Sequence, residues 1–127
     1  MRLEHFALNV PDATAHADWY VRHLGFSILR RLDTPPFRRF LADDTGRVIV
    51  ELYTDSRARI PDYKTMDPLC FHVAVVSTDA STDRRRLEAV GATHVAPDEP
   101  QLDATRLIMM RDPWGVALQL CQRAQPF

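Results

Sequence analysis

The sequence predicts an α+β fold made of two tandem βαβββ modules. Three observations carry that expectation. Each half of the chain places a short apolar run before an Asp-capped helical segment that stops at a glycine, and three more short runs follow. The punctuation residues recur in the same order in both halves. The chain has 127 residues, 46% hydrophobic and 26% charged, which is enough to bury a core without disulfide or metal staples.

The elements follow in order. Leu3 to Val10 is a short apolar run suited to a buried strand. Asp12 is a good helix N-cap, Ala17, Tyr20, Val21 and Leu24 fall at helical spacing, and Gly25 is a helix stop. Phe26 to Leu32, Phe37 to Ala42 and Arg47 to Tyr53 are expected strands, the last two joined by the turn Asp43-Asp44-Thr45-Gly46. Leu69 to Val76 then opens the second half as a β-branched strand. Asp79 caps a helix whose Leu87 and Val90 are expected to face inward, and Gly91 stops it. Arg84, Arg85 and Arg86 form a solvated face, with Arg84 and Glu88 spaced for an i,i+4 pair. Thr93 to Ala96, Arg106 to Met110 and Val116 to Cys121 complete the second set, with the turn Asp112-Pro113-Trp114-Gly115 before the last strand. Residues 55–68 are polar, contain two prolines and read as a linker. The expected organisation is a first module over 1–54, a linker over 55–68 and a second module over 69–127.

Lys and Arg total 16 and Asp and Glu 17, a net charge of −1. That balance argues against a nucleic-acid partner. No apolar run approaches the length of a membrane span, and the N-terminus has no apolar signal core, so a soluble cytoplasmic protein is expected. Cys70 and Cys121 lie inside apolar runs and read as small buried hydrophobes rather than a disulfide. His16, His23 and His94 read as surface residues. Arg38, Arg39 and Arg106 are placed to meet an anionic substrate, but the surface reading is preferred. Trp114, Phe37, Tyr53 and Phe40 read as core, or as the lining of an aromatic ligand site.

Four polar residues interrupt otherwise apolar strands: His5, Glu51, His72 and Gln119. Side chains alternate along a strand. His5 therefore shares a face with Ala7 and Asn9, and Glu51 with Ile49 and Tyr53. His72 shares one with Ala74 and Val76, and Gln119 with Ala117 and Cys121. All four leave the face a helix would cover. A buried carboxylate needs compensation. A divalent metal held by two imidazoles and a carboxylate supplies it, with zinc, iron, nickel or manganese suited to those ligands. An arginine paired with Glu51 is the competing explanation.

Several segments resemble the vicinal oxygen chelate superfamily, which includes glyoxalase I, bleomycin and fosfomycin resistance proteins, extradiol dioxygenases and methylmalonyl-CoA epimerase. They are Leu3-Glu4-His5-Phe6-Ala7-Leu8-Asn9-Val10, Trp19-Tyr20 with Leu24-Gly25-Phe26, Val50-Glu51-Leu52, Phe71-His72-Val73-Ala74-Val75, and Asp112-Pro113-Trp114-Gly115-Val116-Ala117-Leu118-Gln119-Leu120. The resemblance covers nearly the whole chain. It implies a single domain over 1–127, an open cup-shaped mixed β-sheet, and a metal at the cup floor held by His5, Glu51, His72 and Gln119. Gln119 stands where the family usually has Glu. The resemblance further implies a metal-dependent lyase, isomerase or dioxygenase acting on a substrate that chelates the metal through neighbouring oxygens. Glu51 would then move a proton next to the carbonyl. The alternative is a non-enzymatic, bleomycin-resistance-like binder that traps a small molecule without metal. A homodimer is expected. Substrate specificity is expected to come from residues 55–68 and from the Pro97 to Ala104 loop.

Overall fold

The computed structural model describes residues 1–95 and 104–125. Its elements run β1 (Phe6–Asn9), α1 (Ala13–Leu24), β2 (Ser27–Arg31), β3 (Arg39–Ala42) and β4 (Val48–Tyr53), then β5 (Val73–Val76), α2 (Ala80–Glu88), β6 (Thr93–His94), β7 (Arg106–Arg111) and β8 (Ala117–Gln122). They form two open four-stranded sheets of the same topology, β1-β4-β3-β2 and β5-β8-β7-β6. In each, the first and last strands of the repeat pair in parallel and the other pairings are antiparallel. The expected βαβββ repeat is thus present twice. Ala96 and the Pro97 to Asp103 part of the second expected specificity loop lie outside the described residues.

The chain divides into two compact units, Met1–Pro61 and Asp62–Phe127. In the first unit α1 lies on β2, β3 and β4. The Asp12 carboxylate accepts from the N–H groups of Thr14 and Ala15, and Gly25 closes the helix at φ 77. A cap of this kind contributes about 1 kcal/mol. The buried stripe is Ala13, His16, Ala17 and Tyr20, a run of i, i+3, i+4 and i+7. This corrects the expected stripe, since Val21 is exposed and its place is taken by His16. Far from being a surface residue, His16 is fully buried and stands edge-on to Tyr20, with ring centroids 4.7 Å apart. His23 is half-buried against Trp19.

In the second unit α2 lies on β6, β7 and β8, capped by Asp79. Arg84 and Glu88 make their i,i+4 pair at 3.8 Å. Leu87 is buried as expected, but Val90 lies past the helix end and is exposed. His94 is a half-buried residue of β6, registered with Met110, and not a surface loop residue. Cys121 is buried, but Cys70 precedes β5 and is exposed, contrary to its apolar sequence context. No helix among the described residues is long and apolar enough to cross a membrane.

Residues 55–68 carry their own order. Asn9 is buried at the end of β1; its amide donates to the carbonyls of Asp55 and Ala58, and its Oδ1 accepts from the Asp55 N–H. In the second unit Arg111 donates to the carbonyls of Tyr63 and Met66. Tied backbone of this kind costs little further entropy to hold in place.

Candidate functional site

The two units place His5, Glu51, His72 and Gln119 at equivalent positions of the repeat, although the sequence put both histidines inside their strands. His5 and His72 each immediately precede their strand, β1 and β5. Two residues on, Ala7 registers with Glu51 and Ala74 with Gln119. On the other side Glu51 registers with Phe40 and Gln119 with Met109. The same equivalence extends past the strands. The Val10 N–H donates to the Tyr53 carbonyl, and the Ser77 N–H to the Cys121 carbonyl. Side-chain oxygens three residues after the polar positions, Thr54 Oγ1 and Gln122 Oε1, then accept from the first helical N–H groups of Ala13 and Ala80.

In the first unit the site is assembled. His5 Nε2 lies 3.2 Å from Glu51 Oε2, and Arg38 Nε lies 3.1 Å from Glu51 Oε1. The other ring nitrogen of His5 faces the Glu4 carboxylate. Phe40 packs edge-on against His5, with ring centroids 5.6 Å apart. The Glu51 side chain is only 12% exposed, whereas that of Arg38 is 44% exposed. Glu51 and Arg38 border a surface pocket of about 490 Å³, lined also by Ala7, Tyr53, Asp55, Arg57 and Ala58. Arg38 is therefore the carboxylate's partner, a role sequence reasoning raised only as an unnamed arginine. The one available signal was its position two residues before Phe40, on the same strand face as Glu51. Arg39, which sequence placed at the surface, is buried. It donates to the Leu32 and Arg38 carbonyls, to Thr14 Oγ1 and to Asp33 Oδ1. Arg106 is exposed and meets the Ser81 hydroxyl.

In the second unit His72 Nδ1 lies 2.9 Å from the Pro68 carbonyl oxygen. A carbonyl only accepts, so Nδ1 is the donor, and in the neutral ring this leaves the lone pair on Nε2. Gln119 Oε1 accepts a weak hydrogen bond from the Cys121 thiol at 3.4 Å.

A divalent metal is the group the donor chemistry implies. Among the described residues no three His, Cys, Asp or Glu side chains gather into a metal-holding cluster. The donor types nevertheless fit. The His72 ring is held in the tautomer a metal ligand adopts, by the carbonyl contact typical of such ligands. His5 faces carboxylates through both ring nitrogens, and an imidazole nitrogen beside a carboxylate oxygen is a donor pair that divalent cations take.

At the pocket edge, Arg57 grips Asp55 through side-chain hydrogen bonds and its own backbone N–H, and holds the carboxyl at about 2, below the ordinary 3.8. A carboxylate with a lowered folded-state pKa contributes stability above its ordinary value and loses it as pH falls through the folded one. NMR titration of Asp55 is expected to give a midpoint near 2, and Arg57→Ala to move it back toward 3.8. A wild-type midpoint near 3.8 would show the contact to be absent in solution.

The description Glyoxalase/Bleomycin resistance protein/Dioxygenase superfamily belongs to a family model that matches residues 2–120. The chain belongs to this superfamily. Lactoylglutathione lyase of Neisseria meningitidis is 30% identical over 129 aligned positions, covering 97% of this chain and 91% of the relative. Among solved structures, TnmS3, an antibiotic binding protein from Streptomyces sp. CB03234, aligns with a TM-score of 0.71 at 20% identity, covering 98% of this chain and 97% of that one. Glyoxalase I from Zea mays aligns with a TM-score of 0.74 at 24% identity; the match covers 98% of this chain and 45% of the maize protein. Both structural likenesses establish the fold.

Proposed function

We propose that the protein is a divalent-metal-dependent enzyme of this superfamily, a lyase or isomerase whose substrate offers two neighbouring oxygens to the metal. The observation that carries the reading is the repeat-equivalent placement of His5 with Glu51 and His72 with Gln119. A binder that works by contact alone has no need of two imidazoles at matched positions. The proposed ligands are His5, Glu51, His72 and Gln119, for zinc, nickel, manganese or iron. When bound, the metal supplies Lewis acidity that stabilises negative charge on a substrate oxygen.

The chain's own residues supply the remainder. Glu51 accepts the proton from the carbon next to the substrate carbonyl and returns it. Ala7 leaves space beside Glu51, because its side chain ends at Cβ. Phe40 and Tyr53 flank the carboxylate with aromatic surface. The first substrate to test follows from the Neisseria relative. Lactoylglutathione carries a hydroxyl next to a thioester carbonyl, and those are two neighbouring oxygens. Thioester formation or loss, followed by absorbance with each metal in turn, is expected to require metal and to fall by about 10²-fold or more in Glu51→Gln. Metal uptake without turnover would leave the ligand set standing and remove this substrate. If no metal is taken up and His5→Ala leaves stability and ligand binding unchanged, the chain is instead a metal-free small-molecule binder.

We further propose a homodimer, the commonest closed assembly. Light scattering is expected to give twice the chain mass of 14.6 kDa; a monomer at micromolar concentration would contradict it.

A further inference from the structure

We propose that Arg38 is a built-in counter-ion of Glu51 that competes with the divalent cation for this carboxylate, and so sets how tightly the site takes its metal. The inference rests on the reading of Glu51 as a ligand. Glu51 is largely buried and must be compensated when no metal is present. Arg38 does this at 3.1 Å, from a side chain exposed enough, at 44%, to swing away. A guanidinium stays charged at every working pH, so it cannot yield by losing a proton. A cation arriving at Glu51 must displace it or sit beside a like charge.

The internal repeat provides the control. Arg38 lies two residues before Phe40, the β3 residue registered with Glu51. In the second sheet, Leu107 lies two residues before Met109, the β7 residue registered with Gln119. The carboxylate is matched with an arginine and the neutral amide with a leucine. Were Arg38 merely a solvated surface cation, its position would have no reason to follow the charge at the neighbouring strand. Among the described residues that line the pocket, Arg57 is the other guanidinium, and it is committed to Asp55 through a bidentate contact. Among them Arg38 is the one that meets Glu51.

The test uses the full chain as wild type, Arg38→Leu and Arg38→Lys, with Zn²⁺ and Ni²⁺ affinities measured by competition with a chromogenic chelator. Arg38→Leu is expected to bind about tenfold more tightly, and Arg38→Lys to stay within about threefold of wild type. Equal or weaker binding by Arg38→Leu overturns the competition while the ligand reading survives. Failure of all three proteins to bind either metal refutes the ligand reading itself, and the competition with it. Metal-free melting curves test the counter-ion role separately. Arg38→Leu is expected to lower Tm by about 4 °C, and the double variant Arg38→Leu/Glu51→Gln to recover most of that loss. No recovery in the double variant overturns the counter-ion role.

Discussion

His5→Ala and His72→Ala are each expected to lower the metal retained after loading and desalting by about tenfold or more. His94→Ala is expected to leave it unchanged. The three substitutions remove the same side chain from different settings. His5 stands against Glu51, and His72 has its Nδ1 committed to the Pro68 carbonyl. His94 sits in the short strand β6, registered with Met110. Gln119→Glu is expected to tighten metal binding, because it adds a charged ligand where Leu107 offers no competing cation. In the absence of metal the same change is expected to lower stability, since a carboxylate then lacks a partner. Metal content by mass spectrometry and melting temperature with and without metal check both statements. Equal metal retention in His72→Ala and His94→Ala would remove His72 from the ligand set.

Gly115→Ala is expected to be among the most destabilising single substitutions in the chain, by about 2–4 kcal/mol. Gly115 has φ +96, a conformation that L side chains rarely adopt, and an added Cβ would lie 2.8 Å from the Lys64 backbone nitrogen and 2.9 Å from its Cα. Neither backbone atom yields easily. Arg111 donates to the Gly115 carbonyl and to those of Tyr63 and Met66, which holds the 63–66 segment against the turn. Asp112 tightens the same turn by accepting from the N–H groups of Trp114 and Val116. Gly25 is the comparison. It has φ +77 but nothing within 4 Å of an added Cβ, so Gly25→Ala is expected to cost only about 1 kcal/mol. Urea unfolding of both variants decides the matter. Equal losses would mean that residues 63–66 move aside at little cost.

The order of elements was legible in the sequence because local chemistry decides it. Asp12 and Asp79 accept from the first-turn N–H groups of their helices, and Gly25 takes the left-handed cap that other residues avoid. Strand alternation likewise puts Leu8, Val50 and Leu52 on the face opposite His5 and Glu51, and all three are buried. The matched punctuation of the two halves announced the repeat and singled out His5, Glu51, His72 and Gln119.

Burial of individual residues was less legible. His16 and Arg39 read as surface positions because isolated polar residues usually are. Both are buried, Arg39 with hydrogen bonds to Thr14 of α1 and to Leu32 and Asp33, and His16 in the helix stripe against Tyr20. Cys70 erred the other way, since an apolar run places a residue inside only when a strand follows it there, and β5 begins at Val73.

By itself, then, the sequence determined the two-fold βαβββ order and the four polar positions, because caps, stops and period-2 alternation act over a few residues. Only the tertiary structure decided that Glu51 is held by Arg38 and His5 together. Those contacts join residues far apart in the chain, and sheet register rather than local sequence sets which side chains meet.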